Sequence, residues 1–204
     1  RVQWFKATTS VEQSYDFLWR VHKVVPHRGE VVIFNRSYYE AVLIERVHKF
    51  APPEELDYRY KAINQFEELL SHNGTRIVKF FLHIDKNEQL HRFMRRLKHP
   101  GKHWKISSND YPERQYWDDY VEAFEQAMIR CSTEEAPWFA IPSNCKWFRN
   151  LAISQIILET LEGMKIKLPE PSVDLQETRR LAAIELSRQR QERKNRKYAE
   201  LLKQ

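Results

Sequence analysis

An α/β fold with a mostly parallel, helix-covered sheet is predicted for these 204 residues, on three observations. Residues 31–34 (VVIF) and 76–84 (RIVKFFLHI) are apolar runs of strand length, the pattern of strands buried on both faces. Longer segments between and after them space their apolar residues as helices do. Strand and helix patterns alternate, which implies βαβ units rather than hairpins.

Residues 1–6 (RVQWFK) read as a short strand, and 8–25 (TTSVEQSYDFLWRVHKVV) as one amphipathic helix capped by Ser10, with Gln13 three residues on. Pro26 and Gly29 end it before the strand at 31–34. The chain turns polar at Asn35, Arg36 and Ser37, then resumes helical spacing with Val42, Leu43 and Val47, a helix from about Tyr39 to Phe50. Residues 52–74 make a longer helix, with proline at its start and Asn73-Gly74 at its end. After the strand at 76–84 come helices at 87–97 and 111–131, a proline-bounded strand at 137–142 and a helix at 146–164. Pro169-Glu170-Pro171 closes the domain, and the remaining tail reads as a charged helix.

Composition excludes several classes. With 42% hydrophobic and 30% charged residues the chain is an ordinary globular one. No apolar run approaches the ~20 residues of a membrane span, and the polar start at Arg1 is expected to carry no secretory leader. Cys131 and Cys145 have no CxxC spacing and read as buried thiols in a reducing cytoplasm. Residues 172–204 hold nine Lys/Arg against five Asp/Glu, so the tail supplies four of the six net positive charges. The body is nearly balanced, and global basicity is no argument for nucleic acid. None of the four glycines belongs to a GxGxxG or GxxxxGK loop.

Two features can carry chemistry. Arg36 stands at the carboxyl end of a strand, the rim where open α/β sheets bind ligands, although it could equally pair with Glu40. Residues 89–109 hold Arg92, Arg95, Arg96, Lys98, Lys102 and Lys105, three histidines and no acid. Arg92 and Arg96 share a helix face, and Pro100-Gly101 leaves the rest on a loop. Such a cluster suits a polyanion, because guanidinium forks bind phosphate oxygens bidentately and lysines act as point charges. A solvated basic helix face is the plainer alternative. Asn35 could cap the next helix. Glu12 and Asp16, one turn apart, fit a metal, a ribose or a plain surface. Asp118 and Asp119 could balance the basic loop, and Trp138 or Trp147 is either core or a stacking platform for a base.

In order and spacing, six stretches resemble the family-2 polyphosphate kinases of class III: DFLWRVH (16–22), GEVVIFNRSYYEAVLIERV (29–47), KFFLHIDKNEQLHRFMRRL (79–97), KHWKISSND (102–110), WDDYVEAFE (117–125) and APWFAIPSNCKWFRN (136–150). The resemblance implies a P-loop kinase fold, three-layer α/β/α and thymidylate-kinase-like. Residues 1–171 would form the core, with a helical lid at about 86–115, and 172–204 the tail. It implies Mg²⁺-dependent, reversible transfer of the terminal phosphoryl group of inorganic polyphosphate to AMP and ADP, making ADP and ATP. Asn35 and Arg36 would stand in the Walker B position. Arg92, Arg95, Arg96, Lys102 and Lys105 would close over polyphosphate. Glu40, Arg46, Thr9, Glu12 and Asp16 would serve the nucleotide, and no residue is assigned to the metal. Ala41 departs from the aspartate often found there, and TTSVE keeps only Thr9 and Glu12 of the usual Pro-Thr-x-x-Glu. The family's phosphate-cradling loop and first strand do not occur in these residues, so the chain is expected to be part of a larger kinase and inactive alone. A homo-oligomer, dimer or tetramer, is expected. An ATP-dependent nucleotide kinase of the same fold is the alternative within enzymes. A nucleic-acid-binding module is the alternative outside them, disfavoured because kinase-like motifs flank the basic loop.

Overall fold

The computed structural model describes residues 1–167 and 170–201, with side chains through 167 and over 170–195. Pro169 and Lys203, which figure in the expected domain end and the basic tail, lie outside the described residues. The chain forms two units, Arg1–Thr160 and Leu161–Gln204. In the second unit the helix Leu175–Leu201 is exposed along all its described side chains.

In the first unit, β1 (Val2–Trp4) pairs in parallel with β2 (Ile33–Asn35), Trp4 standing opposite Asn35. Likewise β3 (Lys79–His83) pairs in parallel with β4 (Trp138–Pro142). Among the described residues these are two separate two-stranded sheets. Sequence reading placed the second strand at 31–34 and buried it on both faces. It runs instead from Ile33, and Val31 and Ile33 are 68% and 61% exposed. Alternation explains this: Phe34 turns inward to meet Phe5 edge-on at 5.0 Å, so its neighbours must point the other way.

The helix expected over 8–25 is two short ones, α1 (Ser10–Gln13) and α2 (Trp19–His22). Its cap is Thr9 rather than Ser10: the Thr9 hydroxyl accepts from the Glu12 amide, and the Glu12 carboxylate accepts from the Thr9 amide. Asp16 then accepts from the Leu18 amide at 2.9 Å, a local turn that competes with helix and separates the two.

The first unit's core lies where α3 (Glu40–Val47), α4 (Pro53–His72) and α7 (Trp117–Cys131) meet. Leu56, Tyr60, Ile63 and Phe66 recur at helical spacing along α4 and are all buried, each such side chain contributing about 1.5–3 kcal/mol. The helix opens on Pro53 with Glu54 and Glu55 in its first turn, and closes on Asn73 before Gly74, whose φ of 88° favours glycine. The single helix expected over 111–131 is divided into three segments: α6 (Asp110–Glu113), a 3₁₀ turn, Arg114–Tyr116, and α7. After β3 comes α5 (Lys86–Lys98), and the basic loop after it is wound into a 3₁₀ helix, Pro100–Lys105. The helix expected over 146–164 is α8 (Lys146–Gly163). Cys131 is buried as read, but Cys145 is exposed beside the start of α8.

Candidate active site

The carboxyl ends of β1 and β2 meet at one rim, where the Phe5 amide donates to the Asn35 carbonyl at 3.1 Å. Asn35 closes β2, and Arg36 follows in a left-handed conformation, φ 60°. A non-glycine residue holds that conformation only where its surroundings impose it. One residue on, the Ser37 hydroxyl accepts from the Tyr39 amide at 3.2 Å, which turns the chain into α3. The Arg36 guanidinium is 62% exposed and meets the Glu40 carboxylate at 3.3 Å. Both readings of Arg36 therefore describe its place: it is at the rim, and it is paired. Burial pushes the Glu40 carboxyl up, against the opposing pull of Arg36 and then Arg20.

Arg20 was not foreseen. It sits on α2 with its side chain only 15% exposed, donates to the Lys6 carbonyl at 3.0 Å, and meets Glu12 at 3.4 Å. Its guanidinium also lies 5.0 Å from the centre of the Phe5 ring. The Thr9 amide, helped by the Thr9 hydroxyl and Arg20, holds the Glu12 carboxyl below the usual range. Charges thus alternate along the rim from Glu12 through Arg20 and Glu40 to Arg36. Beside them a groove of about 380 Å³ is lined by Trp4, Lys6, Thr9, Glu12, Arg20 and Lys23 among others. The only hint of Arg20 in sequence was a cation inside the apolar run DFLWRVH.

Of the residues expected to serve a nucleotide, the structure brings Thr9, Glu12 and Glu40 to this rim. Asp16 is engaged at the start of α2. Arg46 lies six residues beyond Glu40, about 9 Å along the helix axis, and pairs with Glu122 of α7 at 2.7 Å.

The residues expected to form a lid are less free than sequence suggested. Acids just outside the basic stretch reach into it. Glu88 receives Arg92 at 2.7 Å and Arg95 at 3.4 Å, and Asp110 lies 3.6 Å from Arg96. Arg92 also donates to the Ser143 carbonyl at 2.6 Å, which ties α5 to the end of β4. Arg95, Lys102 and Lys105 are exposed, and the Lys105 ammonium stands 4.9 Å from the centre of the exposed Trp104 ring. Asp85 caps α5, accepting from the Glu88 amide at 2.7 Å and from the Asn144 side chain. At the end of α6, the Glu113 carboxylate takes His48 at 3.1 Å and the Tyr120 hydroxyl at 3.0 Å. Burial, then Glu113 and Glu40, push the Tyr120 hydroxyl up, with Arg36 opposing, so Tyr120 lies within electrostatic reach of the rim.

A second unforeseen group lies beneath the rim. Tyr38 and Tyr39, immediately after Arg36 and Ser37, are buried and both donate to one oxygen of Glu67, at 2.7 and 3.0 Å. Lys79, buried at the start of β3, donates to the other Glu67 oxygen at 2.5 Å, to the Tyr39 hydroxyl at 2.9 Å and to the Cys131 carbonyl at 2.7 Å. Burial pushes the Glu67 carboxyl up and the Lys79 ammonium down, each against the pull of the other. Trp138 packs edge-on to Tyr39 at 4.8 Å and is partly buried against the core, whereas Trp147 is 67% exposed.

No group of three His, Cys, Asp or Glu side chains among the described residues is placed to hold a metal ion. Glu12 and Glu40, the carboxylates at the rim, each face an arginine. The described residues therefore do not form a cage for the divalent cation that the resemblance implies.

The polyphosphate kinase 2 family model matches residues 1–169. The chain belongs to that family. It is 48% identical over 171 residues to the AMP/ADP-polyphosphate phosphotransferase of Meiothermus ruber, an alignment covering 84% of this chain and 64% of that protein. It is 46% identical over 178 residues to the ADP-polyphosphate phosphotransferase of Rhodopseudomonas palustris, covering 81% and 62%. The crystal structure of polyphosphate kinase 2 from Arthrobacter aurescens TC1 superposes with a TM-score of 0.88 at 47% identity, over 89% of this chain and 64% of that one. This polyphosphate kinase 2 chain thus spans a little under two thirds of the length of these relatives, and its α/β fold is that of the solved family members.

Proposed function

We propose that this protein is a polyphosphate-dependent nucleotide phosphotransferase that moves the terminal phosphoryl group of inorganic polyphosphate to AMP and to ADP. The observation that carries the reading is Arg36, an exposed guanidinium held on a left-handed turn at a strand end, in a chain belonging to this family. The relatives named for AMP and ADP as acceptors support the substrate class. In each turnover a P–O bond of the polyphosphate anhydride breaks, a new one forms to a terminal phosphate oxygen of AMP or ADP, and the polymer shortens by one residue. The reverse step regenerates it.

Phosphoryl transfer needs positioning and charge neutralisation more than covalent help. Arg36 aims fixed donors at the equatorial oxygens, where charge is spread in the transition state. Arg95, Lys102 and Lys105 on the exposed side of the lid hold the polyanion, with Arg92 and Arg96 available once a phosphate displaces their carboxylate partners. The groove beside Thr9, Glu12 and Arg20 takes the acceptor. A divalent cation, Mg²⁺ in this reading, enters with the phosphates themselves, as this ion commonly does. No helix among the described residues is long and apolar enough to cross a membrane. A cytoplasmic homo-oligomer, dimer or tetramer, belongs to the same proposal.

The test incubates the full-length protein with Mg²⁺, long-chain polyphosphate and AMP, and separates the nucleotides by ion exchange. The expected result is ADP followed by ATP, reduced on the order of 10²–10³-fold in Arg36→Ala, the loss typical of one transition-state donor. Conversion with ATP as donor but not with polyphosphate would overturn the donor assignment and support an ATP-dependent kinase.

A further inference from the structure

We propose that Glu67 and Lys79 are positioning residues for Arg36, acting through Tyr38 and Tyr39 to hold the left-handed turn from which Arg36 reaches the rim. The proposal rests on the reading of Arg36 as the phosphate-gripping side chain. It begins from a cost. Tyr39, Glu67 and Lys79 are 2%, 1% and 7% exposed, so a carboxylate and an ammonium have been taken out of water together. Well-packed apolar side chains of similar volume commonly stabilise such a site as well or better. Stability alone therefore does not account for this pair, whereas direction does.

The hydrogen bonds leave little freedom. Both tyrosine hydroxyls point at Glu67 Oε1, and Lys79 Nζ places its three donors on Glu67 Oε2, the Tyr39 hydroxyl and the Cys131 carbonyl. The Tyr39 hydroxyl gives one bond and takes one, so its rotor is determined. The anchors come from α4, β3 and the end of α7, three elements that do not include Arg36. Tyr38 and Tyr39 are two and three residues from Arg36, and the intervening Ser37 hydroxyl is committed to the Tyr39 amide. A backbone φ of 60° at Arg36 is therefore over-determined from its carboxyl side by a rigid pair of rings. An apolar pocket would bury those rings without specifying their rotation, because apolar contact is non-directional.

The experiment compares wild-type full-length protein with Glu67→Gln and Tyr39→Phe by amide hydrogen exchange and by steady-state kinetics. Tyr39→Phe keeps the ring and serves if Glu67→Gln does not fold. The expected result, read in Tyr39→Phe because that variant leaves both charges of the buried pair in place, is exchange at residues 35–39 quickened about tenfold or more, with β1 and α8 unchanged, since loosening is local when only one anchor is lost. With it, kcat falls about tenfold or more while KM for polyphosphate stays within about twofold, the mark of misplaced transition-state donors. Unchanged exchange at 35–39 would overturn the proposal. So would exchange raised equally across residues 1–160, which would make the pair a general stabiliser, or a loosened turn with wild-type kcat. If the wild-type protein transfers nothing from polyphosphate, the functional reading fails alone, because the exchange pattern judges the positioning without turnover.

Discussion

Arg36 and Glu40 form a structural contact at the rim, which under the proposed function is also a reserve for chemistry. The carboxylate sits in the first turn of α3, where an acid complements the exposed amides, and it keeps the guanidinium near the rim. Burial nonetheless pushes the Glu40 carboxyl above its ordinary 4.5. A carboxyl raised in the folded state takes up its proton before the unfolded chain does. Its contribution to stability is then present below about 4.5 and is lost as the pH rises through the raised value. Wild type should therefore gain stability relative to Glu40→Gln as the pH is lowered from 7 towards 4.5, and urea unfolding of both proteins across that range would show it. A gap that stays constant with pH would mean that Glu40 is not raised.

For α5 the decisive contact is at its start. Asp85 caps the helix and is itself gripped by Asn144, with its own amide donating back to the Asn144 side chain at 3.1 Å. The bond from the Glu88 amide, followed by that from Asn144, holds its carboxyl below the usual range. α5 is thus held by the loop after β4 as well as by the strand that leads into it. Arg92 adds a second tie to the same loop through the Ser143 carbonyl. Under the proposed function, in which α5 belongs to a lid over polyphosphate, Asp85→Ala in the full-length protein should raise KM for polyphosphate several-fold with a smaller change in kcat, because the cap orients that helix and does not touch the reacting phosphate. Equal losses in kcat and kcat/KM at constant KM would instead place Asp85 in the transition state.

Across the first unit, the buried tyrosine–glutamate–lysine group joins what the sheets leave separate. Lys79 belongs to the β3–β4 pair, and Tyr38 and Tyr39 lead out of the β1–β2 pair. Removing one charge of a buried pair leaves the other unpaired, at a typical cost of 3–5 kcal/mol. Lys79→Met should accordingly lower stability by about that amount, and Glu67→Gln added to it should restore a good part, since the leftover carboxylate is then neutral. Denaturant unfolding of the single and double variants measures this. Strictly additive losses would show that the two side chains do not interact.

Much of this was legible before any coordinates. Proline and glycine punctuation marked α4 at both ends, the apolar run RIVKFFLHI marked the strand that contains β3, and the spacing of residues 111–131 marked the stretch that contains α7. Arg36 could be placed at a strand end because a polar step after an apolar run is a local signal. Arg20, Glu67 and Lys79 gave no such signal. A cation in an amphipathic helix or at the head of a strand reads as surface, and Glu67 in FEELL reads as solvent-facing charge. Which charges are buried depends on partners 12 to 52 residues away, as in the bonds of Lys79 to Glu67 and to the Cys131 carbonyl. The same holds for the lid: Glu88 and Asp110 fall just outside the basic stretch in sequence, and only folding turns them back onto its arginines. Periodicity and punctuation are properties of neighbours along the chain, so the order and kind of elements follow from sequence. Desolvation and charge pairing are properties of neighbours in space, and those were decided only when α4, β3 and α7 closed around the two tyrosines.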